Sequence, residues 1–219
     1  MAMANATMRA RLLGLATMTI AVAAAPAAEA HPHMWVTTQI TVLHERGAFT
    51  GLHHKWIFDE FYATTAIEGL DKNKDGKYDR DELAELAKVN IDGLKDFEYF
   101  TFPKLAGQDL KVGDVTDYWL EHKEGVLSLH FTLPFAQPVL FEAKGLTFSV
   151  QDPTFYIAFE PAKSDPVVFS AEAPKGCKIS AGEPGKERAN ASGLGESASA
   201  QLGAFGISAR TIAVDCSGP

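Results

Sequence analysis

Residues 71–82 carry the spacing most directly readable as chemistry. Asp71, Asn73, Asp75 and Asp79 stand at positions 1, 3, 5 and 9 of a twelve-residue segment that Glu82 closes. A hard cation such as Ca2+ takes about six to eight oxygen ligands, and a loop wound around it turns alternate side chains inward. Lys77, at position 7, would offer its backbone carbonyl, and Glu82 both oxygens of its carboxylate. Gly76 falls where such a loop turns through positive φ, which costs glycine almost nothing. This is the pattern of an EF-hand calcium loop. The alternative is a polar turn between two helices, but that would crowd mutually repelling carboxylates with nothing to neutralise them. No second loop of the kind occurs in the sequence, which favours a structural pin over a regulatory switch.

A second candidate depends on how the chain begins. Residues 1–30 read as an export signal, with Arg9 and Arg11 before an apolar run and Ala28-Glu29-Ala30 as a small-x-small cleavage site. The run is too short and alanine-rich for a membrane anchor. No cysteine follows it, which argues against a lipid anchor, and the lack of paired arginines favours general secretion. Cleavage after Ala30 would make His31 the first residue, followed by Pro32 and His33. A free N-terminal histidine offers an amine and an imidazole, and a second imidazole lies two residues on. Nitrogen donors of this kind suit copper, nickel, cobalt or zinc. Pro32 has no amide proton, so a chelate through deprotonated backbone nitrogen cannot run across it. The alternative is an ordinary exposed terminus.

Composition fits an exported binder of cations. The chain holds 28 acidic and 20 basic residues, a formal net charge of −8. Loss of Arg9, Arg11 and Glu29 leaves the remainder slightly more acidic. Such a balance disfavours nucleic acid and anionic membrane surfaces as partners. Cys177 and Cys216 are its two cysteines. In an oxidising compartment they pair most simply with each other, because two cysteines without CxxC spacing make a poor metal site.

The elements that would hold these groups follow from periodicity. Val36, Ile40 and Val42 alternate with polar residues up to a turn at Glu45-Arg46-Gly47, and residues 49–58 return as a second strand. Opposing residue 44 to residue 49 places His54 across from Gln39 and on the order of 20 Å from His33. Asp59 and Glu60 then lie nearer His33 than His54 does. A helix from about Asp59 leads into the calcium loop, with Ala63, Ala66, Ile67 and Leu70 at helical spacing. Leu83, Leu86 and Ala87 begin a second helix, which continues to about Phe97. Tyr78 is expected to pack on the aromatic group at 99–102. Further strands are expected at 114–122, 126–134, 145–151, 154–159 and 207–214, with long loops over 171–204. Asp152, before Pro153, is a site member or a turn former.

The ordered set of export signal, His31-Pro32-His33, Trp56-x-Phe58-Asp59-Glu60, one EF-hand-like loop, Phe100-Thr101 and Asp152-Pro153-Thr154 resembles an uncharacterised bacterial family. That family is described as periplasmic components of an unknown ABC-type transport system, often associated with nickel or cobalt permeases and exporters. The resemblance implies a periplasmic location, an inner-membrane metal transporter as partner, and His31, His33, His54, Asp59 and Asp152 as candidate transition-metal ligands. The chain is shorter than two-lobed solute-binding proteins and lacks their alternating βαβ pattern.

These readings give an α+β chain: a signal peptide at 1–30, then one β-rich domain at 31–219. Its core is an antiparallel, sandwich-like pair of sheets, with a helical EF-hand insertion at about 59–98. The expected function is metal binding without turnover, since no Gly-x-Ser-x-Gly, HExxH or phosphate loop is present. Two other readings stay open: a calcium-stabilised interaction domain without transition metal, and a copper protein or enzyme using His31 as a chelating brace.

Overall fold

The structure is a computed structural model that describes residues 32–154, 156–182 and 210–216. The predicted signal segment and His31 lie outside the described residues. Eleven strands and two α-helices are described: β1 Met34–Glu45, β2 Ala48–Phe58, α1 Glu60–Ala66, α2 Ala84–Lys95, β3 Thr101–Leu105, β4 Gln108–Asp109, β5 Tyr118–Lys123, β6 Val126–Leu140, β7 Leu146–Val150, β8 Ile157–Pro161, β9 Val167–Phe169, β10 Cys177–Ala181 and β11 Ile212–Cys216. They form two sheets. One runs β5-β6-β2-β1-β8, with β9 also on β1, and the other runs β10-β11-β7-β3-β4. The expected sandwich-like α+β architecture is present, and both helices sit between β2 and β3. The sheets are not wholly antiparallel, however, because β8 and β9 run parallel to β1.

Alternation builds the interior as the sequence suggests. Val36, Thr38, Ile40 and Val42 of β1 point inward and are buried. The long sheet is covered in two parts. Near one end Val36, Trp56, Leu129 and Phe131 pack with Ala63, Ile67, Leu83 and Ala87 of the helical segment. Toward the other, Ile40, Val42, Phe49 and Leu52 pack with Leu146, Phe148 and Val214 of the second sheet. His54 falls between Leu52 of one cluster and Trp56 of the other.

The hairpin register corrects one expectation. His44 does oppose Phe49, but a bulge follows at once, and Leu43 opposes Gly51. Beyond it every pair is offset by one, so His54 faces Ile40 rather than Gln39. Gly51 explains the irregularity. A Cβ there would lie 2.6 Å from the Leu133 carbonyl oxygen and 2.8 Å from the Pro134 Cα, so only glycine lets β6 approach this closely.

α1 is shorter than its apolar spacing suggests, because the chain turns out at Gly69 with φ +77° before Leu70. Residues 171–204 are not all loop: β10 lies within them as a short, half-exposed edge strand. Cys177 and Cys216 face each other across β10 and β11 and form the expected disulfide. The bond closes a separation of 39 residues. Replacing both cysteines with serine should lower the unfolding free energy by about 4 kcal/mol on the loop-entropy relation. Urea denaturation of the variant beside the native chain measures this, and equal midpoints would contradict it.

Candidate functional site

The loop at 71–82 is organised by its own side chains. Asp71 Oδ1 and Oδ2 accept from the amides of Asp75 (3.2 Å) and Gly76 (3.0 Å). Asn73 Oδ1 accepts from Asp75 N at 2.9 Å, and Asp75 Oδ1 from Lys77 N at 2.8 Å. Asp79 Oδ1 receives both Asp81 N and Glu82 N, each at 2.9 Å, starting the helical turn that leads into α2. Glu82 spans the loop. Its Oε1 accepts from Lys72 N (2.8 Å) and Asn73 N (3.2 Å), and its Oε2 from Asp79 N (3.2 Å). Its side chain is buried, at 7% exposure. Lys74 and Gly76 take positive φ, +61° and +78°, which lets the chain wind tightly enough for these contacts.

Backbone amides thus hold these oxygens, and the Asp75 amide is shared between Asp71 and Asn73. Among the described residues, no three His, Cys, Asp or Glu side chains are grouped so as to hold a metal ion. The donor set is nevertheless all oxygen and fits a hard cation by type. Tyr78 packs edge-on against His122 of β5, with ring centroids 4.9 Å apart, and against the core cluster that includes Tyr99 and Phe100.

The histidine-based candidates are dispersed. His33 sits at the start of β1, its amide donating to the Tyr156 carbonyl at 2.8 Å and its ring 4.9 Å from the Tyr156 ring. Asp59 caps α1 by accepting Tyr62 N through Oδ1 (2.9 Å), while Oδ2 accepts Trp35 N (3.0 Å). Asp152 is buried. Its Oδ1 takes Thr154 N and Oγ1 at 2.7 and 2.8 Å, and its Oδ2 takes Ile157 N at 2.9 Å. Met34 pairs with Ile157, so His33, Asp59 and Asp152 border the same end of β1. His54 does not join them. It pairs with Ile40, about 23 Å along the strand from His33.

Both aspartates therefore hold backbone in place. Asp152→Ala would leave a buried backbone amide without its acceptor, and should cost about 2–3 kcal/mol of stability. Asp152→Asn should recover part of that loss, because its carbonyl can still accept from Thr154. Thermal unfolding of the two variants checks the order, and an alanine variant as stable as the native chain would contradict it.

His54 is fully enclosed, stacked on Phe131 at 4.6 Å, and neither ring nitrogen has a hydrogen-bond partner among the described residues. Burial, with the neighbouring His53 adding to it, pushes its pKa down to about 3. It is a neutral core imidazole.

Strand pairing also assembles a group on the opposite face that single residues do not announce. Trp119 pairs with His130, and their rings stack at 4.6 Å. His53 lies 5.9 Å from the His130 ring and 5.6 Å from Trp119, and the Arg80 guanidinium covers Trp119 at 4.8 Å. Burial, then Lys55, lowers the His130 pKa to about 4, against the opposing pull of Glu121. The sequence signal was parity alone: His53, His130 and Trp119 occupy polar-face positions on three neighbouring strands.

Comparison with known proteins adds the ancestry. Residues 16–216 match the family described as "Protein of unknown function (DUF1007)". The chain belongs to that family. An "Uncharacterized protein" of Haemophilus influenzae is 28% identical over 192 residues, covering 85% of this chain and 91% of the relative. An "Uncharacterized 15.5 kDa protein in trpE 3'region" of Spirochaeta aurantia is 32% identical over 100 residues, 45% of this chain and 70% of its own length. This agrees with the uncharacterised bacterial family that the motifs resemble. Among the described residues, no helix is long and apolar enough to cross a membrane.

Proposed function

We propose that this protein is an exported, periplasmic metal-binding accessory domain that pins its fold with Ca2+ and holds a transition-metal ion at its processed N-terminus. The observation that carries the reading is Glu82, a buried carboxylate bonded to amides of both limbs of an all-oxygen loop. Asp71, Asn73, Asp75, Asp79 and Glu82 would supply side-chain oxygens to the calcium ion, and Lys77 its carbonyl. Bound calcium would neutralise their mutual repulsion and fix the loop between α1 and α2.

The helices flanking that loop are tied to each other and to the strand that follows His33. Asp59 ties α1 to Trp35 of β1, and the Tyr62 hydroxyl donates to Asn90 of α2 at 3.0 Å. The amine of His31 and the imidazoles of His31 and His33 are the proposed donors for nickel, cobalt, zinc or copper. An inner-membrane metal permease or exporter is the proposed partner, on the strength of the motif resemblance. The role is binding, with no reaction assigned.

A second reading is supported by Asp59 and Asp152, both of which are engaged in backbone support. On that reading the protein is a calcium-pinned interaction domain. One titration separates the two. Chain starting at His31, and a copy with one alanine ahead of it, are titrated with Ni2+, Co2+, Zn2+ and Cu2+, with calcium saturating and then chelated. Tight binding that the added alanine weakens supports the N-terminal site, and its dependence on calcium tests the link through α1. Calcium binding alone in both chains supports the second reading, and no calcium binding overturns both.

A further inference from the structure

A cleft opens between the two sheets, far in sequence from the loop at 71–82. It arises where β1 changes partner. Thr38 pairs with Pro161 of β8, whereas Ile40 pairs with Val167 of β9, and residues 162–166 bow away between them. The Ala162 amide donates to the Thr38 carbonyl and the Ile40 amide to the Pro166 carbonyl, so both ends of the bow are fixed to β1. On the facing sheet, β10 ends and β11 begins beside it. The cavity between measures about 450 Å3, within the range that small-molecule sites occupy.

Its lining has two chemistries. Val150, Phe159, Val167, Ile179 and Ile212 face the cavity and remain only half-buried, while Phe148, which also lines it, is buried. At its rim stand Lys163, on the bow, and Arg210, just before β11. Both are exposed, and neither has an ion-pair partner among the described residues. Asp165 is also on the bow but does not line the cavity, so the charged side chains that do line it are both cationic, in a chain of net charge −8.

We propose that this cleft is a binding site for an amphipathic carboxylate, an aliphatic body of about ten carbons carrying one anionic head. The body buries the half-exposed apolar side chains, and each methylene taken out of water adds to the affinity. The carboxylate lies at the rim between Lys163 and Arg210, where the guanidinium can take it with two parallel hydrogen bonds. A cationic head on the same tail meets like charge and is rejected.

The test is calorimetric titration of the full, disulfide-intact chain with decanoate, and with decyltrimethylammonium as the cationic counterpart. Decanoate is expected to bind saturably with one-to-one stoichiometry, and decyltrimethylammonium at least about tenfold more weakly. The double variant K163E/R210E should lose about tenfold in decanoate affinity with an unchanged unfolding curve, since both side chains are exposed. Ile179→Trp, which fills the cleft, should weaken it independently of charge. The proposal is overturned if decanoate shows no saturable binding, or if both head groups bind equally. It also fails if neither variant moves the affinity. Binding that appears only when residues 183–209 are replaced by a short linker overturns it too, because the chain itself would then be the occupant.

Discussion

On the proposed calcium site, Glu82→Gln should weaken calcium binding by about a hundredfold, roughly 2.7 kcal/mol, while leaving the fold in place. The carboxylate at the last loop position gives a calcium ion two oxygens and a full negative charge. An amide gives one oxygen and no charge. The cost to the metal-free fold is smaller and separable. The glutamine carbonyl can still accept from Lys72 N and Asn73 N, as Oε1 does now, but the NH2 group replaces the acceptor that Asp79 N uses. One unsatisfied amide costs about 1–3 kcal/mol. Asp81→Asn is the control, since it removes the same charge from a side chain outside the proposed ligand set. Titration with a calcium-sensitive dye, beside unfolding in chelator, gives both quantities. If the Glu82→Gln and Asp81→Asn variants lose calcium affinity equally, the loop acts only through net charge and Glu82 is no ligand.

Much of the fold was legible because its signals are local. The inward set Val36, Ile40 and Val42, the turn at Arg46-Gly47 and the facing cysteines all follow from alternation, turn chemistry and pairing. The bulge was not legible. Parity fixes a strand's faces only while register holds, and Gly51 shifts it for a reason that lies on β6, at Leu133 and Pro134. That shift changed the cross-strand partner of His54 without bringing it to His33. β9 and β10 give almost no sequence signal, because short edge strands need little apolar alternation. Asp59 and Asp152 were ambiguous for a different reason. A carboxylate at a strand end looks the same in sequence whether it awaits a cation or receives amides, and only the geometry assigns the amides.

His54 should make the protein acid-sensitive well above the range in which carboxylates titrate. Its unfolded-state pKa is near 6.5, and its folded value is pushed down to about 3 by burial and by His53. Neutral imidazole is what the core accepts, so the contribution to stability is fully present above about pH 6.5. It is lost as pH falls toward 3, because the unfolded chain takes up a proton that the folded chain refuses. From pH 8 to pH 5 that loss amounts to about 2 kcal/mol. His54→Leu removes the titrating group and both unpartnered nitrogens at similar volume, so the variant should be at least as stable as the native chain at pH 8. Its advantage should then widen by about 2 kcal/mol at pH 5. Denaturant unfolding of both chains in chelator at the two pH values isolates the effect, since His53, His130 and the loop carboxylates remain in each. An advantage that stays constant with pH would mean that the imidazole at the meeting of the two cores is protonated as easily folded as unfolded.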